Sequence, residues 1–100
     1  MKYDKLVRDK IPEIIKSKGG LPITHIANDT EYWQKLKEKL QEEVSEFIEA
    51  QNIEEMADIL EVVDAIFICK KFDRHQVENV KAKKAEERGK FNKKIILEES

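Results

Sequence analysis

The sequence contains few of the residues that shape turns, disulfides and thiolate metal sites. Among its 100 residues are three glycines, two prolines and a single cysteine, Cys69. So few turn-forming residues favour long helices over a many-stranded sandwich. One cysteine excludes an intrachain disulfide and a cysteine-cluster zinc site, and it is typical of a reducing compartment. We therefore expect a mainly helical, cytoplasmic protein.

The sequence also lacks long apolar runs and an excess of charge of one sign. No apolar segment approaches the roughly 18 residues of a membrane span, and no signal-peptide pattern is visible. Nineteen basic and 21 acidic residues give a net charge of -2, whereas a dedicated nucleic-acid binder carries a basic footprint. We expect neither a membrane nor a nucleic-acid polymer as partner, and the length fits a single domain over residues 1–100.

The charges are segregated along the chain. Residues 1–39 carry a net charge of +3, residues 40–69 carry nine acidic and no basic side chains, and residues 70–94 carry +6. Repulsion within the middle segment opposes folding unless positive charge lies near it. The basic flanks can supply that charge through ordinary ion pairs, and a divalent cation is the alternative.

Hydrophobic periodicity predicts three consecutive helices after the first third of the chain. Apolar residues recur at helical spacing over about 30–50. A second helix, over about 53–71, is apolar on two sides, which is typical of a central helix in a bundle. A third helix, over about 74–88, is polar and rich in lysine. The expected fold is an all-α, antiparallel helical bundle.

Smaller elements are expected around this helical region. Thr30 is the candidate N-cap of the first long helix, and a short helix is expected over 12–17, with proline at its first position. Two runs rich in β-branched residues, 23–27 and 95–97, favour short accessory β-strands near the termini.

Two pairs of acidic residues predict a metal site on the first two long helices. Glu43 and Glu46, and likewise Glu55 and Asp58, are three residues apart, so each pair shares one helix face. A tight turn makes the helices antiparallel and places Glu43 level with Asp58, and Glu46 level with Glu55, with about 4.5 Å between the two levels. Four converging carboxylates form the oxygen-only cage that hard divalent cations prefer.

The residue types around the four acids narrow the choice of ion. Ionised carboxylates buried side by side are costly without a cation or raised pKa values. No cysteine or histidine is near them in the sequence, which disfavours Zn²⁺. A solvated acidic face with nearby lysines is the ordinary alternative. Two pairs in register across a hairpin, with no basic residue among them, leave both interpretations open: a solvated face, or a site for Mg²⁺ with Mn²⁺ as a substitute.

The spacing of the acids, ExxE followed by ExxD, resembles the signature of the all-α NTP pyrophosphatase superfamily, which includes the MazG-like proteins. Residues 5–13, KLVRDKIPE, resemble the opening of a MazG-like subgroup, and residues 84–91, KAEERGKF, resemble its closing motif. The chain departs from many relatives in the short interval of eight residues between Glu46 and Glu55. Longer connections in those relatives help to shape the substrate pocket.

The resemblance implies a Mg²⁺-dependent hydrolase that splits a nucleoside triphosphate between its α- and β-phosphates and removes non-canonical nucleotides. It implies four metal ligands: Glu43, Glu46, Glu55 and Asp58. Glu46 is also the candidate catalytic base, which would accept a proton from water instead of binding the ion. The candidate substrate-binding residues are basic and lie towards the two ends of the chain: Lys5, Lys10, Lys84, Lys90, Arg8 and Arg88.

For some charged residues, a structural ion pair is the alternative to a role in the site. Arg8 and Arg88 suit bidentate phosphate contacts, but either could form an ion pair with a helix acid. Asp64 lies on an apolar helix face, where Lys37 is its expected partner across the hairpin in a structural ion pair.

Two other functions stay open. A phosphoribosyl-ATP pyrophosphohydrolase belongs to the same superfamily and cleaves the same kind of bond, and a non-catalytic helical oligomer or regulatory module would keep only the scaffold. Because the chain is small and its second long helix is apolar on two sides, we expect a homodimer or homotetramer.

Overall fold

The computed structural model describes residues 4–100, which contain four helices and no strand. The helices are α1 (Ile11–Ser17), α2 (Asp29–Ala50), α3 (Ile53–Lys70) and α4 (Arg74–Arg88). The predicted all-α class is confirmed. Among the helices described, none combines the length and the apolar character that crossing a lipid bilayer requires.

Helices α2 and α3 form an antiparallel hairpin, the one extensive contact between helices in residues 4–100. The apolar side chains that it buries most completely are Leu36 of α2 and Val62 of α3. Gln51 ends α2 in the left-handed conformation, and its N–H donates to the carbonyl of Phe47 at 2.7 Å. A connection this short forces the antiparallel arrangement that the sequence predicts.

Asn52 begins α3 as its N-cap. Its Oδ1 accepts a hydrogen bond from the backbone N–H of Glu55 at 2.9 Å, which satisfies one of the free donors at the helix start. The sequence pattern marks Asn52 only as an interruption. In the structure it also fixes the first turn of α3, which carries Glu55.

Removing this cap should destabilise the hairpin. We expect Asn52→Ala to lower the free energy of unfolding by about 1 kcal/mol, and Asn52→Ser to restore most of it. Urea denaturation measures both changes. The control is Asn92→Ala, at an exposed position after α4, which should change stability by less than about 0.5 kcal/mol. Equal effects of the two alanine variants would contradict the capping role.

The predicted N-cap of α2 is wrong. Helix α2 begins at Asp29, one residue before Thr30, and its N-cap is Asn28, whose Oδ1 accepts from the N–H of Glu31 at 2.9 Å. Asparagine is at least as good an N-cap as threonine, and acidic residues in the first turn suit the positive end of the helix dipole.

The accessory strands expected over 23–27 and 95–97 are not formed. Both segments lack regular secondary structure, and Ile23 and Ile96 are 99% and 82% exposed. β-Branched residues favour a strand only where a neighbouring strand pairs and packs with them. Within residues 4–100 neither segment has such a partner.

Helix α4 leaves the hairpin at the end opposite the α2–α3 connection, because it follows the C-terminus of α3. The chain measures 56 Å along its longest axis, about the combined length of a 22-residue and a 15-residue helix. Its radius of gyration is 18.0 Å, against about 13 Å for a compact domain of this length. The described part of the chain is therefore elongated, with α4 projecting from the hairpin.

Candidate metal centre

Three of the four predicted ligands come together near the connected end of the hairpin. Glu43 of α2 is buried, with 6% of its surface exposed, and Glu55 and Asp58 of α3 are half-buried. Each offers a carboxylate oxygen, and these oxygens all lie within 4.8 Å of one another. The hairpin thus brings acids from two helices into one group, as their spacing predicts.

Glu46, the fourth predicted ligand, belongs to a different group. Its side chain is exposed, and its carboxylate lies with those of Glu42 and Glu43, again within 4.8 Å. In place of the predicted cage of four, the structure therefore has five acids in two groups of three that share Glu43. Sequence reasoning missed Glu42, although it is four residues before Glu46 and so shares its helix face.

Two buried carboxylate oxygens in the first group have no hydrogen-bond partner, Oε2 of Glu43 and Oε2 of Glu55. Buried polar atoms are nearly always satisfied, because leaving one unpaired is costly. A hard divalent cation would satisfy both oxygens at once. The donor set contains only oxygen, which fits Mg²⁺ and does not fit a structural Zn²⁺ site.

The electrostatics of the group centre on Glu43. Burial raises the pKa of its carboxyl above the ordinary value of 4.5, the Lys39 ammonium opposes this rise, and the charges of Glu46 and Asp58 add to it. Lys39 Nζ lies 3.3 Å from Oε1 of Glu43. Sequence reasoning missed this lysine, although it is four residues before Glu43 on the same face.

Two of the basic residues predicted at the N-terminus reach these acids. Arg8 Nη2 donates to Oδ1 of Asp58 at 2.8 Å, and Lys5 Nζ donates to Oε1 of Glu42 at 3.2 Å. Arg8 therefore forms an ion pair with a helix acid, which the sequence analysis gives as the alternative to phosphate binding. Lys10, at the N-cap of α1, forms no ion pair within residues 4–100.

The basic residues predicted near the C-terminus are not brought to the acids. Lys84 and Arg88 lie on exposed positions of α4 and Lys90 directly follows it. Helix α4 projects from the opposite end of the hairpin, so within one chain these three cations stay away from the carboxylates of Glu43 and Asp58.

The predicted ion pair between Asp64 and Lys37 is wrong. Asp64 accepts instead from the guanidinium of Arg74, the first residue of α4. Lys37 Nζ lies 5.5 Å from the centre of the Trp33 ring, one turn earlier on α2. Asp64 pairs with Arg74 instead of Lys37 because the short connection after α3 places the Arg74 guanidinium beside the Asp64 carboxylate.

Comparison with known proteins adds little to this geometry. The chain matches no family model and no solved structure. It is 50% identical over 42 residues to an uncharacterized protein of Mycolicibacterium smegmatis. That match covers 42% of this chain and 43% of the relative, so it spans less than half of either protein.

Proposed function

We propose that the protein is a MazG-like, Mg²⁺-dependent nucleoside triphosphate pyrophosphohydrolase that acts on non-canonical nucleotides in the cytoplasm. The observation that carries this proposal is the pair of buried, unpartnered oxygens of Glu43 and Glu55, with the carboxylate of Asp58 beside them. The ExxE and ExxD spacing and the two terminal motifs support the family and the substrate class.

In this proposal the acids have different roles. Glu43, Glu55 and Asp58 would hold the ion, since they converge from two helices. When bound, Mg²⁺ neutralises phosphate charge and lowers the pKa of a coordinated water. Glu46 is exposed and adjacent to the group, so its carboxylate can accept a proton from the attacking water and release it to solvent.

The triphosphate would approach from the side of the N-terminal segment. Arg8 uses one nitrogen for Asp58, and a guanidinium has five N–H donors in all, so others remain for a phosphate. A cleft there is lined by three lysines and two glutamates: Lys5, Lys35, Lys39, Glu38 and Glu42. The lysines pair with glutamates of the helices, so they would have to exchange these partners to offset the charge of a bound polyphosphate.

The direct test is an assay of pyrophosphate release at increasing Mg²⁺ concentration. The substrates are canonical and modified nucleoside triphosphates together with phosphoribosyl-ATP. We expect Mg²⁺-dependent turnover of at least one triphosphate, with Mn²⁺ able to replace Mg²⁺. Turnover of phosphoribosyl-ATP alone would establish the related pyrophosphohydrolase instead. No turnover, together with no effect of Mg²⁺ on thermal stability, would leave a non-catalytic helical module.

Arg8 gives a smaller, separate prediction. Its guanidinium competes with a cation for Asp58, and an exposed ion pair of this kind contributes at most about 1 kcal/mol. Arg8→Ala should therefore raise the affinity for Mg²⁺ by up to about fivefold while raising KM for the triphosphate. Calorimetry without nucleotide measures the first effect. Arg88→Ala is the control, and an equal gain in that variant would contradict competition at Asp58.

A further inference from the structure

The N-terminal segment, residues 4–10, places one cation on each of the two groups of carboxylates. Lys5 Nζ lies 3.2 Å from Oε1 of Glu42, in the group that α2 alone provides. Arg8 Nη2 lies 2.8 Å from Oδ1 of Asp58, in the group that α2 and α3 provide together. Because the two groups share one carboxylate, a segment with a cation on each of them spans the whole acidic centre.

The N-terminal segment is held to the hairpin lightly. Residues 4–8 have no regular secondary structure, and α1, which follows them, makes no extensive contact with another helix of the described chain. The side chains of both ion pairs are partly exposed, from 31% for Glu42 to 56% for Arg8, and each such pair shifts an equilibrium by at most about fivefold. A third contact joins Lys35 Nζ to the carbonyl of Asp4 at 2.6 Å. A competing charge can therefore displace the segment.

There is also open space between the N-terminal segment and α2. A cleft of about 220 Å³ is lined by Lys5 and Leu6 of the segment and by Glu38 and Glu42 of the helix, among others. Closely packed protein interiors leave few voids larger than a water molecule. The segment therefore bridges this part of α2 through charged side chains more than through packing, and it can move without disrupting the core of the hairpin.

We infer that the N-terminal segment is an electrostatic lid on the metal centre, whose cations change partners as the site fills. This inference rests on the proposed function, because the competing partners are Mg²⁺ and the phosphates of a nucleotide. In the empty site, Lys5 and Arg8 offset carboxylates that otherwise repel one another. Arg8 loses its acceptor when Asp58 binds a divalent cation, and like charge then repels the guanidinium. The segment is thereby released.

A bound triphosphate draws the segment back. Phosphate oxygens offer Lys5 and Arg8 new anionic acceptors, and a guanidinium can form bidentate hydrogen bonds with them. The lid is therefore closed in the empty site, open when the ion alone is bound, and closed again over a nucleotide. Each cation has two acceptors in turn, which explains how residues that pair with the acids of the metal centre can also bind the substrate.

Limited digestion with trypsin reports the position of the lid. To cut the bond after Arg8, trypsin must take the guanidinium into its own pocket, and the guanidinium must first leave Asp58. Cleavage after Lys18, which is exposed at the end of α1, is the internal reference in the same digestion. We expect Mg²⁺ alone to raise the ratio of cleavage after Arg8 to cleavage after Lys18 about fivefold. A non-hydrolysable triphosphate, added with Mg²⁺ in excess, should return the ratio to the metal-free value or below it.

Asp58→Asn tests the closed state of the empty site without any metal. It removes the anionic acceptor of Arg8, so the cleavage ratio should already be about fivefold higher than in the wild type, and Mg²⁺ should not raise it further. Asp29→Asn, at an exposed position at the start of α2, is the matched control and should be digested as the wild type is. Circular dichroism checks that both variants keep their helices. Equal ratios in Asp58→Asn and the wild type without metal would overturn the lid.

Calorimetry with Mg²⁺ distinguishes failure of the lid from failure of the proposed function. Binding of Mg²⁺ with an unchanged cleavage ratio would overturn the lid and leave the metal centre standing. A ratio that rises with Mg²⁺ but does not fall with the triphosphate would overturn closure over the substrate. Release and closure without turnover of any nucleotide would overturn the proposed function while the lid stands. If no Mg²⁺ binds, the proposed function fails and the inference fails with it.

Discussion

Replacing Glu43 and Glu55 together with glutamine should reduce kcat/KM for the triphosphate by at least about a thousandfold, which corresponds to about 4 kcal/mol of lost transition-state stabilisation. Glutamine keeps the shape of the side chain but removes the charge that a divalent cation requires. The two buried oxygens without partners belong to these residues. Pyrophosphate release at saturating Mg²⁺ measures the loss.

The same double variant should also be more stable than the wild type without metal. It removes one buried and one half-buried carboxylate whose oxygens lie within 4.8 Å of each other. Circular dichroism would show that the helices persist. Glu78→Gln on the exposed face of α4 is the control and should keep full turnover. Turnover within tenfold of the wild type in the double variant would show that the ion, if one is used, lies elsewhere.

Magnesium should stabilise the folded protein strongly. A ligand at 100 times its dissociation constant contributes about 2.7 kcal/mol, which corresponds to a rise in Tm of about 10–20 °C for a domain of this size. The rise should vanish in the Glu43→Gln, Glu55→Gln variant and persist in Glu78→Gln. Differential scanning calorimetry with and without Mg²⁺ measures it. Equal rises in the wild type and the double variant would contradict ion binding at these acids.

The stability of the folded protein should also depend on pH through Glu43, in a direction that its raised pKa determines. Because burial raises the pKa of Glu43 above 4.5, the native state holds this proton more tightly than the unfolded state does. The resulting stability is complete below pH 4.5 and is lost as the pH rises through the raised pKa. Without metal, the free energy of unfolding of the wild type should therefore fall relative to that of Glu43→Gln as the pH rises through this range. Mg²⁺ requires the ionised carboxylate, so its stabilising effect should grow over the same range.

The features that follow from helical spacing were predictable from the sequence. Glu43, Glu55 and Asp58 meet because three-residue spacing and a two-residue connection define which faces of α2 and α3 point at each other. Glu46 does not join Glu55 in this group, because equal height along two helices does not specify how far each side chain leans from the common face. The short connection indicates the partner helix, and the direction of each side chain decides the ligand set.

The position of α4 was not predictable, and its polar composition explains why. A strong apolar stripe indicates which face of a helix is buried, but α4 is rich in lysine and packs little against the rest of residues 4–100. The segments 23–27 and 95–97 were misread for a related reason, since strand propensity becomes a strand only with a partner. The Asp64–Arg74 pair depends on this same unpredicted placement of α4.

The sharing of Glu43 between two groups of acids bears on ion stoichiometry. Two ions that use this one carboxylate would sit close together, at spacings of about 3.5–4 Å in two-metal sites, and would repel each other. Filling the first position would therefore weaken the second, so occupancy would be anticooperative. A calorimetric isotherm should then show two unequal steps per chain, or a single step if only the buried position fills.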